Sequence, residues 1–229
     1  MSTTRHTGSD ARGACAPGVR TTRSLLGYGL IAGPFYVLAS VIEGIVRPGF
    51  DFTRHDWSLL ANGDVGWIHM VVLAVTGLMV VAAAAGFVRA LRGGRRSGAA
   101  GWFLAVYGAG MIGAGVFAAD PADGFPLGTP DGPTVTPSID GLLHLAFGGL
   151  GFLGLVICCL ILARLFRKEN ARGWAGFSLA TGVLFLAAFV GIASGGAATR
   201  FGVLAFTAAV LLAWTWLFLV SSRMYRLTG

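Results

Sequence analysis

The sequence predicts an all-α integral membrane protein: a bundle of six transmembrane helices with both chain ends in the cytoplasm. Three observations predict it. Apolar residues make up 55% of the 229 residues and charged residues 12%, against about a quarter charged in soluble domains, and mean hydropathy is +0.74. Six mostly apolar stretches of roughly 20 residues or more follow one another, each able to cross a hydrocarbon core about 30 Å thick at about 1.5 Å per residue. The basic residues between them alternate in placement, which gives the stack of spans a direction.

Taken in order, residues 1–24 are polar and basic and lack the apolar run of a cleavable signal, so they are expected to form a disordered cytoplasmic tail. Cys15 there lacks the preceding apolar run of a lipoprotein signal. Span 1, residues 25–46, contains Pro34, expected to kink it, and ends near Glu43 and Arg47, one turn apart and able to pair. The first outer loop contains Arg54-His55-Asp56-Trp57-Ser58-Leu59. Span 2 covers 66–91, and a short basic loop leads to span 3, 99–119, which ends at Asp120-Pro121. The second outer loop, 120–137, carries Gly124-Phe125-Pro126 and Gly128-Thr129-Pro130, a composition that predicts ordered turns forming a lid. Spans 4, 5 and 6 cover 138–163, 174–194 and 201–222, and 223–229 is a short cytoplasmic tail. The membrane domain is thus expected to be 25–222.

Orientation follows from charge. Of 17 Lys and Arg, the tail (Arg5, Arg12, Arg20, Arg23), the loops after spans 2 and 4, including Arg95 and Arg96, and the C-terminus hold 14. Only Arg47, Arg54 and Arg200 lie on the other side. Basic loops stay cytoplasmic, so the protein is expected in the plasma membrane as a multi-pass protein with both termini inside. The net charge of +7 then serves anionic membrane lipids; no basic face with interleaved aromatics suggests nucleic acid. Acidic residues lie mostly outside, apart from Asp10 and Glu169. Cys158 and Cys159 fall mid-membrane, so no disulfide framework is expected.

Spans 2 and 4 align without gaps at an offset of 75, placing His69 against His144 and Arg89 against Arg164. A basic loop and a Gly-Trp pair follow each. Helices 2–3 and 4–5 therefore read as a possible tandem hairpin repeat, related by an axis along the membrane normal, with the two histidines at one depth. Glycines spaced one turn apart in spans 1, 3 and 4 suit close helix packing.

Chemistry is expected at the outer mouth, where Arg54, Ser58, His69, Asp120, Asp140 and His144 converge. Three readings apply. His69, Asp120 and His144 offer nitrogen and oxygen ligands suited to zinc, which would make a metal-dependent membrane hydrolase; no other cofactor is expected. A polar pocket could instead bind a lipid head group or small polar ligand, with Arg54 and Arg47 facing phosphate or carboxylate. Or the polar groups could only orient the loops of a structural membrane partner protein. Ser58 with a histidine and an aspartate has the members of a hydrolytic triad, without a nucleophile elbow. Polar groups at mid-membrane are few, which argues against a charged transport path.

Arg54-His55-Asp56-Trp57-Ser58-Leu59, Gly66-Trp67, Gly115-Val116-Phe117-Ala118-Ala119-Asp120-Pro121, Gly124-Phe125-Pro126 and Gly141-x-x-His144 together resemble the prokaryotic membrane family catalogued as domain of unknown function 998, especially its actinobacterial members, over about residues 25–222. The resemblance implies six transmembrane helices and no established activity. Its pattern points to Arg54, Ser58, Trp67, Asp120, Pro121 and His144 as positions to test. In the family the place of His69 is often glutamine, which implies that a two-histidine zinc site is not a family property. The expected function is ligand binding at the mouth without catalysis.

Overall fold

Lipid offers the backbone no hydrogen-bond partner, so apolar stretches of this length satisfy their amides internally as helices. The computed structural model describes residues 17–92 and 98–228. Over them the stretches form α1 (Pro17–Val46), α2 (Gly66–Ala90), α3 (Gly98–Val116), α4 (Ile139–Lys168), α5 (Arg172–Ala193) and α6 (Arg200–Leu227). All six are long and apolar enough to cross a membrane, and the chain is a multi-pass membrane protein. Two short 3-10 turns, Trp57–Ala61 and Gly196–Ala198, lie in the connections. No strand forms among the described residues.

The helices overrun the expected spans at the arginine-rich end. α1 starts at Pro17 rather than 25, α4 continues to Lys168 and α6 to Leu227. Hydropathy marks only the lipid-embedded part of a helix. The basic turns beyond it stay helical because arginine and lysine are good helix formers and because they are held. The Arg23 guanidinium lies 4.4 Å from the centre of the Tyr225 ring, and Arg89 donates to the Thr22 hydroxyl at 3.1 Å. Residues 17–24, expected in the tail, are therefore helical. Arg5, Asp10, Arg12, Cys15, Arg95 and Arg96 lie outside the described residues.

Each helix packs on its sequence neighbours, and α6 closes back on α1. The result is an up-and-down ring. Glycines set its tightest joints. A Cβ on Gly77 or on Gly108 would come within 2.7 Å of the other's carbonyl oxygen, and one on Gly110 would lie 2.6 Å from Gly151 Cα. Across α2–α3–α4 the backbones thus touch with no side chain between them. In the arginine-rich half the ring is filled: Trp216 is 0% exposed and donates from Nε1 to Ser178 Oγ at 3.0 Å, joining α6 to α5. Towards the opposite end, here the mouth end, α5 has no buried residue beyond Phe185, and the ring loosens around a cavity.

Candidate functional site

The two mouth-end connections, 47–65 and 117–138, are joined to each other. Phe125 is 1% exposed and packs with Leu59 and Leu60 in a small second core. Arg47 lies over its ring at 5.3 Å and donates to the carbonyls of Leu60 and Asn62. Arg47 therefore holds the loop; it neither pairs with Glu43 nor faces the cavity. His55 uses both ring nitrogens: Nδ1 accepts from the Asp51 amide at 2.9 Å, so Nε2 carries the proton and donates to the Asp123 carbonyl at 3.0 Å. Arg54 pairs with Asp131 at 3.0 Å and also reaches the Asp123 carbonyl. Asp51 is held below the usual carboxylate range by the amide and hydroxyl of Thr53, both at 2.8 Å.

Asp120 and His144 cross-link the α3–α4 hairpin in both directions. The Asp120 carboxylate accepts from the Ser138 amide at the start of α4 at 3.0 Å, so it sits against the positive end of that helix. Its approach requires Gly141, where a Cβ would meet Asp120 Oδ2 at 2.0 Å. In return His144 Nδ1 lies 3.0 Å from the Ala114 carbonyl and 2.9 Å from that of Phe117. A carbonyl can only accept, so Nδ1 carries the proton and Nε2 is left for other partners. The Asp120-Pro121 and Gly141-x-x-His144 motifs thus read structurally as a reciprocal cap: each helix end is completed by a side chain from the other.

His69 belongs elsewhere. It is 0% exposed between α1 and α2, with Nδ1 at 3.2 Å from Glu43 Oε1. Glu43, expected to pair with Arg47, pairs with His69 because both side chains are buried, whereas Arg47 at the helix end swings out to the loop carbonyls. His69 and His144 each reach back to the helix before their own, so they do not face one another. Among the described residues no three His, Cys, Asp or Glu side chains come together as a group that could hold a metal ion.

The cavity lies inside the mouth end of the ring and measures about 370 Å³. Its deep wall is aromatic, with Tyr36, Tyr107, Phe152, Phe206 and Trp214. Tyr107 and Tyr36 both pack against Trp214, with ring centres 5.9 and 5.3 Å away. Gly148 and Gly149 line the α4 side and leave room that side chains would fill, while Gly151 beside them packs on α3. Its rim carries Arg54, Asp56, Ser58, Asp120, Asp123 and His144. Asp56 is part-buried; burial first, and the Asp123 charge second, push its carboxyl up to about 6. Its Oδ1 and the Trp57 indole nitrogen are buried without a hydrogen-bond partner among the described residues.

Of the residues singled out in the sequence, Arg54, Ser58, Asp120 and His144 share this cavity wall. Trp67 is 62% exposed on the outer face of α2, and Asp140 is exposed in the first turn of α4. Sequence reasoning missed the aromatic floor, whose residues look like ordinary span residues, and it missed Asp56 and Asp123. The cluster Gly148-Gly149-x-Gly151 was a usable signal: three small residues within four positions exceed what one helix contact needs.

A family model described as "Protein of unknown function (DUF998)" matches residues 30–223. No curated protein matches the chain, and no solved structure does.

Proposed function

The chain belongs to this family, whose function is unknown, and from that premise we propose that it binds a lipid or small amphiphilic ligand in the mouth-end cavity. The observation that carries this reading is the cavity's two-part wall: an aromatic and glycine-lined depth under a charged rim. A space of about 370 Å³ falls within the range of small-molecule sites, which are mostly apolar with a few placed polar groups. The apolar depth suits a hydrocarbon chain, and the rim suits a polar head. The partition of 14 basic residues against three supports a cell-membrane protein with both termini cytoplasmic and the cavity opening on the outer side.

The test is native mass spectrometry of protein purified in a neutral detergent, wild type beside Gly148→Leu. A Cβ at Gly148 meets nothing within 4 Å, and the position lines the cavity, so the larger side chain enters open space. Wild type is expected to carry an amphiphile that the variant lacks, at unchanged helix content. Equal loading of the two proteins would reject the cavity as the site.

A further inference from the structure

A second cleft adjoins the cavity. It measures about 300 Å³ and is lined by Arg54, Asp123, Ala197, Thr199 and Arg200, of which Arg54, Asp123 and Ala197 also line the cavity. The two spaces therefore lie side by side, with Arg54 and Asp123 facing both. Three cations lie at the mouth end, and their employment differs. Arg47 is committed to the loop carbonyls of Leu60 and Asn62. Arg54 uses Nη2 for Asp131, whose side chain is 84% exposed; such a surface pair is weak and readily exchanged. Arg200 makes no hydrogen bond or ion pair among the described residues. Arg54 and Arg200 thus meet in one cleft with Asp123; Arg54 already spends Nη2 on the Asp123 carbonyl and on Asp131, whereas Arg200, whose charge reaches Asp51, keeps its donors free.

Resting on the binding reading above, we propose that the ligand is a single-chain amphiphile with an anionic head, phosphate or carboxylate, held between Arg54 and Arg200 while its chain lies in the aromatic cavity. A guanidinium presents a planar fork of donors that matches both oxyanions; an anionic head would take the donors of Arg200 and replace the exposed Asp131 on Arg54. The chain is single because about 370 Å³ sits near the lower end of the range for ligand sites, about 300–1,000 Å³. The source is the lipid phase rather than the aqueous one, because the adjoining cavity is walled by aromatic side chains.

The experiment titrates purified protein in neutral detergent, followed by native mass spectrometry. The probes are lysophosphatidylglycerol, lysophosphatidylcholine of equal chain length, and glycerol phosphate. Wild type is expected to bind the anionic lysolipid about tenfold or more tighter than the zwitterionic one, the discrimination expected from two charge-assisted contacts. Arg200→Gln is expected to remove most of that preference; because this side chain makes no hydrogen bond or ion pair among the described residues, the fold is expected to hold, whereas Arg54→Gln also releases Asp131. Equal affinity for both lysolipids, with both lost in Gly148→Leu, would overturn the anionic head and leave the cavity reading standing. Binding of both lysolipids unaltered in Gly148→Leu would overturn the cavity reading itself. Glycerol phosphate binding as tightly as the lysolipid would overturn the lipid source.

Discussion

Asp56 should destabilise this protein at neutral pH, and Asp56→Asn should relieve the cost. The carboxyl titrates near 3.8 in an unfolded chain and is pushed up to about 6 by burial and by Asp123. Because the folded value is the higher one, the folded state favours the proton. The stabilising contribution is complete below about pH 4 and is lost as pH rises through 6. That rise corresponds to roughly 3 kcal/mol against the charged form at pH 7.5. Asparagine keeps the shape and never ionises. In a chain of this size about 3 kcal/mol amounts to a Tm shift on the order of 5–10 °C. Thermal unfolding in detergent, read by tryptophan fluorescence, should therefore show the variant more stable than wild type at pH 7.5 and level with it at pH 4. Using the difference between the two proteins cancels every other titrating group. A gap that stayed constant from pH 4 to 8 would refute the reasoning. A confirmed gap would mark Asp56 as a rim residue retained at a cost to stability, as ligand-facing groups often are.

Three other outcomes are expected. Asp120→Ala and His144→Ala should each cost about 1–3 kcal/mol, and the double variant less than their sum, because both act on the α3–α4 hairpin; full additivity in a double-mutant cycle would show the reciprocal cap to be two unrelated contacts. Gly110→Ala should destabilise by about 1–3 kcal/mol through backbone collision with Gly151, whereas Gly148→Ala should be nearly silent, compared by Tm in one detergent. Reporter fusions at residues 95 and 130 should report opposite compartments; the same compartment for both would undo the proposed orientation.

The six spans were legible because hydrocarbon length is a constraint that few residues can disguise, and 66–91 against Gly66–Ala90 shows how closely it holds. The basic helix ends were less so: Arg20 and Arg23 read as tail, yet Tyr225 and the α2 end hold that turn in place. Within the site, Asp120 and His144 were found, but their purpose was not. Each completes the other's helix end, an arrangement that depends on where α3 stops. Glu43 was matched with Arg47 because both lie on one helix face; burial matched it with His69 instead, 26 residues away. The pairing of His69 with His144 rested on the offset of 75 alone, and equal depth does not bring two ring members of different hairpins together. Gly148 and Gly149 were read as packing residues, and only Gly151 of that cluster meets another backbone closely.

The knitting of the two mouth-end loops has a kinetic consequence. The His55 bonds, the Arg47 bonds and the seat of Phe125 all brace one seam between the loops, so moving either loop aside would strain all of them together. The outer third of α5, with nothing buried past Phe185, resists far less. Were the proposed ligand to enter through that flank, occupancy would follow mole fraction in the bilayer rather than molarity in the surrounding water, and a guest almost insoluble in buffer would still saturate the protein.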